Sequence, residues 1–415
     1  MASDEPPRFV LFLPPVPSPP SISSLKAAFG DTVSQVLKEV ASHSPDSSKA
    51  SVLEIALSCP ELVGHDRTPR SSLYHAAQGA LAGIYKLVCV IAARYNINIE
   101  DADGVDVRVL LVAWSPDGNE TSALSSAPYG PIIGLEALAH SGRQWQYAFG
   151  VESEAGEAMV KAFVAAKGSG ASITRVQSGP VMNTASSQDS TAKQASGTGP
   201  HHAQAQAGQR HHHVAVGGTF DHLHIGHKLL LSMTVFAVDE PTSSSEGASS
   251  ERSATIGITG DQLLLKKKYA EVLESWDERQ QAVQTFVDSL VNFSSETPHA
   301  TSRNDPGPNG KSMDFRYSNG LVIKCVEIQD PFGPTITEEA ISALIISAET
   351  RSGGKAVNDK RKESGWEELE VFEVDVLDAG DGEGGGGVQE GFESKLSSTA
   401  IREKIAKKMG VGEKL

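Results

Sequence analysis

Short apolar runs of strand length alternate with helical segments along this chain. They do so twice, on either side of a stretch with few bulky apolar residues. Parallel strands need a crossover between them, usually a helix, so this alternation predicts βαβ units and parallel sheets. In the first half, RFVLFL (8–13) reads as a strand, 22–42 as an amphipathic helix, 51–57 as a strand and 71–95 as a helix. DVRVLLVAW (106–114) and QWQYAFGV (144–151) read as further strands, and EAGEAMVKAFVAAKG (154–168) as a helix ending at Gly168. The expectation is a smaller α/β domain over residues 1–168, without a catalytic constellation and of unknown role.

From 169 to 212 the composition shifts to Ser, Gln, Ala, Gly and Thr and runs out in GTGPHHAQAQAGQRHHH. Such a stretch cannot bury enough apolar surface to offset the entropy of ordering, which predicts a disordered linker with solvated histidines. Residues 213–415 then return to alternation. HVAVGG, ATIGITG (254–260), GLVIKCVEI (320–328), ALIIS (343–347) and LEVFEVDVL (369–377) read as strands. GHKLLLSMTVFAV, SWDERQQAVQTFVDSLV (275–291, with Ser275 as N-cap) and STAIREKIAKKM read as helices. The fold expected for this half is a Rossmann-like doubly wound parallel sheet. Polar inserts near 240–253, 294–314 and 379–391 read as surface loops.

Charge and composition narrow the function classes. A formal net charge of −16 disfavours general binding to nucleic acid or to anionic membranes. The cysteines, Cys59, Cys89 and Cys325, lie far apart without metal-ligand spacing, as in a reduced intracellular protein. The start, MASDEPPRFVLFLPP, has the acids and prolines that secretory and transit peptides lack, so a cytoplasmic location is expected. YHAAQGALAGIYKLVCVIAARY (74–95) has the length of a membrane span, but Gln78, Lys86 and many small residues favour a buried helix.

The chemistry concentrates in AVGGTFDHLHIGHKLLL (215–231). Gly217 and Gly218 end a strand, so a ligand can approach the backbone with no Cβ in the way. The helix start beyond offers free N–H groups and a partial positive charge, which suits phosphate. His224 and His227 lie one turn apart and can donate to a phosphoryl group, and Thr219 adds a hydroxyl. Lys228 could contribute charge, although it reads better as a surface lysine. No third ligand is placed to make the histidine pair a zinc site, and no protein metal ligand is assigned.

GGTFDHLHIGH resembles the signature of the HxGH nucleotidyltransferase superfamily, and the eukaryotic phosphopantetheine adenylyltransferases are most similar. DPFGPT (330–335), ISAETRSGGKAVNDKR (346–361) and KLSSTAIREKI (395–405) resemble that family's blocks in the same order. The resemblance covers most of 213–408; a fungal-type amino-terminal extension would account loosely for the rest. It implies a nucleotidyltransferase fold and transfer of an adenylyl group from ATP to 4′-phosphopantetheine, giving dephospho-coenzyme A and pyrophosphate, with Mg²⁺ accompanying ATP. Alternatives are nicotinamide mononucleotide adenylyltransferase, a cytidylyltransferase, or a non-catalytic scaffold for other enzymes of coenzyme A synthesis.

Carried over by motif position, His224 and His227 would contact the ATP phosphates, Thr219 would orient the attacking phosphate, and Gly217, Gly218 and Phe220 would line the nucleotide. Asp221 would hold the turn or help place metal. DQLLLKKKYAEVLESWDER is similar to the family's lysine loop; Lys267 is the preferred catalytic lysine, with Lys266 and Lys268 as rivals. Arg279 would bind phosphate or pair with a helix carboxylate. Glu349, Thr350, Gly354, Asn358 and Arg361 would shape the pocket, and Arg351 could reach phosphate. Ser397, Ser398 and Thr399 would hold the β- and γ-phosphates, with Arg402 adding a forked donor.

Overall fold

In a computed structural model, the strand–helix alternation resolves into two parallel-stranded sheets that share one continuous apolar core. The structure describes residues 6–43, 50–65, 68–100, 104–118, 128–168, 172–179, 208–241, 251–305, 307–375 and 397–410.

The first sheet is built from β1 (Arg8–Leu13), β2 (Ser51–Ser58), β3 (Val105–Ala113), β4 (Ile132–Gly134), β5 (Tyr147–Glu152) and β6 (Thr174–Gln177). Its order is β4-β3-β2-β1-β5-β6, with every neighbouring pair parallel. β1 and β2 are buried almost throughout, as expected for strands covered on both faces. Helices α1 (Ile22–Ser42), α2 (Arg70–Tyr95), α3 (Leu135–His140) and α4 (Glu154–Lys167) supply the crossovers and cover.

The second sheet has β7 (His213–Gly218) and β8 (Arg252–Thr259) at its centre. Beyond them lie β9 (His299–Asn304), β10 (Lys311–Arg316), β11 (Leu321–Ile328), β12 (Ala343–Ser347) and β13 (Glu370–Val374). The order β13-β12-β7-β8-β11-β10-β9 is parallel from β13 to β11 and antiparallel beyond it. From β7 the chain builds outward through β8 and β11, then returns to place β12 on the other side of β7. In open α/β sheets such a reversal, here at the carboxyl ends of β7 and β12, is where ligands bind. Helices α5 (Ile225–Phe236), α6 (Trp276–Val291), α7 (Arg351–Glu363) and α8 (Ser398–Lys408) complete this half. Ser275 caps α6 in a reciprocal capping box with Glu278, so a local signal and the tertiary fold agree there.

Three expectations need correction. The stretch 169–212 is not linker throughout: Thr174–Gln177 pairs with β5, and Thr32 donates its hydroxyl to the Gln177 carbonyl at 2.6 Å. His211 is fully buried and its ring nitrogens meet Ser342 and Glu370 at 2.9 and 2.7 Å. Composition cannot reveal such partners, because both lie far away in sequence; residues 180–207 fall outside the described residues. The insert 294–314 contains the β9–β10 hairpin, missed because every residue of β9 is exposed and shows no apolar alternation. Lys228 is not on the surface but 5% exposed. Of the other inserts, 242–250 and 379–391 also lie outside the described residues, whereas Arg252 and Ser253 already belong to β8.

The apolar segment near 74–95 forms α2, long and apolar enough to cross a membrane. Its apolar surface is covered by protein, since α2 lies between α1 and α5 and buries Tyr74, Leu81, Ile84, Leu87 and Val88 completely. Cys59, Cys89 and Cys325 are buried and free, and burial pushes the Cys89 and Cys325 thiols up to about 12.

Candidate active site

β7 ends at Gly217 and Gly218, and the turn that follows is wound tightly before α5 begins. Phe220 and His222 both adopt left-handed backbone, at φ 53° and 46°. A bulky aromatic residue rarely accepts that conformation, so the surrounding structure must hold it there. Gly218 is required because a Cβ would come within 2.9 Å of the fully buried Phe220 ring.

His224 is the N-cap residue of α5, yet its side chain makes no capping hydrogen bond. Its ring lies over His227, with centroids 3.9 Å apart and planes 25° apart. Gly226 permits this stacking, since a Cβ there would press on the His224 ring at 3.1 Å. The Nδ1 atoms of both histidines are buried and unpartnered. Burial, reinforced by the Lys228 charge, pushes His224 down to about 4; burial and the His224 charge hold His227 well below the ordinary range. Both rings are therefore neutral at pH 7. They stand at a helix start whose first N–H groups lack intrahelical partners.

These depressed values carry a sign. Between about pH 6.5 and 4 the unfolded chain binds protons that the folded histidines refuse, so stability falls as pH falls through that window. The urea midpoint should be lower at pH 5.5 than at 7.5. An equal or higher midpoint at pH 5.5 would refute the neutral buried pair.

Asp221 organises the site. It is fully buried, accepting the Glu274 N–H at 3.0 Å and Arg402 Nη1 at 2.6 Å. Arg402, 2% exposed, also donates to the Lys268 carbonyl at 3.1 Å and the Thr399 hydroxyl at 3.2 Å. One buried ion pair thus joins the histidine turn, the lysine loop and the start of α8. His222, not singled out by sequence, strengthens the junction through the Val272 carbonyl at 2.9 Å and through Glu274 Oε2, which accepts its N–H at 2.7 Å. Its signal was visible only as one more histidine in the motif.

Several residues expected to face ligand are turned inward. Arg402 is committed to Asp221 rather than extended as a free fork. Arg279 is fully buried and donates to Asp261 at 2.6 Å, Thr219 O at 2.7 Å and Glu274 O at 3.0 Å, so its ion-pair partner is Asp261, just after β8, rather than a carboxylate of its own helix. Arg361 gives its donors to the carbonyls of Thr335, Glu339, Ile341 and Glu367. Asn358 exchanges two bonds with the Leu369 backbone, clamping α7 to the start of β13. Arg351 pairs with Glu373 on β13. Phe220 contributes to the core beside His227, with ring centroids 5.4 Å apart.

Other residues keep free chemistry. Lys266, Lys267 and Lys268 are exposed on the loop after β8. Ser397 caps α8 by accepting the Ala400 N–H at 3.2 Å, and Thr399 accepts from Arg402; among the described residues neither hydroxyl donates a hydrogen bond. Thr350 closes a turn with Ser347 at the carboxyl end of β12, the strand that pairs with β7. Thr219 is half-buried, with its carbonyl held by Arg279. Among the described residues, no three His, Cys, Asp or Glu side chains group as a metal site. Asp221 fits a metal poorly, because both oxygens already have protein partners.

Residues 1–182 match a family model described as a domain of unknown function, DUF8446. An uncharacterized protein of Schizosaccharomyces pombe is 35% identical over 194 residues, 46% of this chain and 48% of that one. A phosphopantetheine adenylyltransferase of Saccharomyces cerevisiae is 35% identical over 191 residues, again 46% and 48%. A phosphopantetheine adenylyltransferase of Methanothermobacter thermautotrophicus is 27% identical over 169 residues, 41% of this chain and 76% of that one. The matches therefore span about half the length of the two fungal relatives. The chain has curated homologues named phosphopantetheine adenylyltransferase.

Proposed function

We propose that this protein transfers an adenylyl group from ATP to 4′-phosphopantetheine, forming dephospho-coenzyme A and pyrophosphate. The observation that supports the reading is the buried Asp221–Arg402 pair, which ties the turn of the paired imidazoles and the hydroxyl-bearing start of α8 to the lysine loop. The names of the homologues support the choice of substrates.

In this reading the acceptor phosphate oxygen attacks the α-phosphorus of ATP. A new P–O bond forms there, the bond to the bridging oxygen breaks, and pyrophosphate leaves with the electron pair. Charge grows on the leaving phosphate. Neutral His224 and His227 answer it by donating from Nε2, the tautomer that leaves only a lone pair on each buried Nδ1. The N–H groups opening α5 and the hydroxyls of Ser397 and Thr399 hold the triphosphate, while the exposed lysines of 266–268 draw two anions together. Mg²⁺ would arrive chelated by ATP, and no step here relies on a protein-held ion.

The test is ATP-dependent pyrophosphate release with 4′-phosphopantetheine as acceptor. Turnover with that pair supports the proposal. Turnover only with nicotinamide mononucleotide, or only with CTP, replaces it with a neighbouring nucleotidyltransferase activity, and none with any pair leaves a binding protein.

A further inference from the structure

The first sheet reaches into this site through one side chain. Lys228 follows His227 directly, and its backbone N–H closes on the His224 carbonyl at 3.0 Å, so it belongs to the turn of α5 that carries both rings. Its ammonium leaves the second sheet altogether. Nζ meets Asp106 Oδ1 at 2.5 Å and the Val107 carbonyl at 3.2 Å, both on β3. The other oxygen of Asp106 accepts from Arg108 at 2.6 and 2.9 Å, so the carboxylate is fixed on both sides. Burial works against its charge, but the Arg108 and Lys228 cations outweigh it and hold the carboxyl ionised, well below the usual carboxylate range.

We propose that Asp106 is a positioning residue for the histidine pair, acting through Lys228. A buried ammonium bound to one fixed carboxylate has a single favourable location, unlike a solvated lysine that samples many. The helical turn that carries His224 and His227 inherits that location. The inference assigns to residues 1–168 a part in the chemistry, namely anchoring the rings whose placement matters, since small displacements of catalytic groups cost large factors in rate. It rests on the adenylyl-transfer reading for its kinetic consequence, though not for its structural one.

The test uses the full chain. D106N should lower kcat about tenfold while KM for ATP changes less than twofold, because the rings are misplaced and the remaining phosphate contacts are kept. K228M, which fills the same slot without a charge, should lower kcat by a similar factor. In the K228M background D106N should add no further loss, since the carboxylate then holds nothing on α5 and keeps only Arg108 of its own strand. If D106N alone fails to fold, K228M and the double variant decide the matter. A normal kcat in K228M, or equal losses from D106N in both backgrounds, overturns the proposal. The imidazole resonances of His224 and His227 report placement without substrate: D106N should shift both, and unshifted resonances refute the inference. Should the unsubstituted chain release no pyrophosphate, the functional reading fails while the resonances still judge the positioning role.

Discussion

His227→Ala is expected to lower turnover by about 100-fold or more, the usual consequence of losing one donor aimed at developing charge. KM for ATP should change much less, because the α5 N–H groups, Ser397 and Thr399 still hold the ground-state triphosphate. The prediction is specific to this ring. It stacks on His224 at 3.9 Å, its Nδ1 is buried without partner, and it is neutral at working pH. The loss should not come from unfolding, since the ring is half-buried and forms no hydrogen bond that the fold depends on. Thermal melting of the variant alongside pyrophosphate-release kinetics separates the two effects. Turnover within tenfold of the parent, in a folded variant, would remove His227 from the mechanism.

What could be read from the sequence was local. β7, α5 and the capped α6 are written in short-range signals: an apolar run ended by glycines, a helix-start motif, and Ser275 three residues before Glu278. β9 was invisible because edge strands need no buried face, and β6 because only Val176 of its four residues is buried. The meeting of the histidine turn, the lysine loop and the start of α8 was also legible, while the orientation of their charged side chains was not. A sequence displays Arg402 as a cation after a hydroxyl run; it cannot display that Asp221, 181 residues earlier, will accept from it in a dry interior. Arg279, Arg361 and Asn358 follow the same logic. Arg279 and Arg361 are buried, Asn358 half-buried, and each has protein partners close by, which donors shielded from water take wherever they exist. Lys228 inverts the usual expectation for the same reason, because its partner is 122 residues away in the other sheet.

Removing the first sheet shows how far the halves depend on each other. A fragment of residues 208–415 is expected to be aggregation-prone and to retain at most a few per cent of full-chain turnover. In the intact chain α5 lies against α2, and Tyr74 of α2 packs on Phe372 and Phe236 with ring centroids 4.6 and 6.4 Å away. Exposing each such aromatic face costs about 1.5–3 kcal/mol, a large share of the roughly 5–15 kcal/mol by which domains are stable. The polar contacts are lost together with it. Lys228 would lose Asp106, Asp239 would lose the Arg70 N–H at 2.9 Å, and the end of α6 would lose Arg143, which donates to the Ser289 and Asn292 carbonyls. The backbone bonds Gly130 N–H to Val291 O, at 2.9 Å, and Phe293 N–H to Pro128 O, at 3.0 Å, also disappear. Size-exclusion chromatography and pyrophosphate release on the fragment test this directly. A monodisperse fragment with full turnover would show that the second sheet folds and positions its histidines alone, and the first would then be an accessory to the chemistry rather than part of its scaffold.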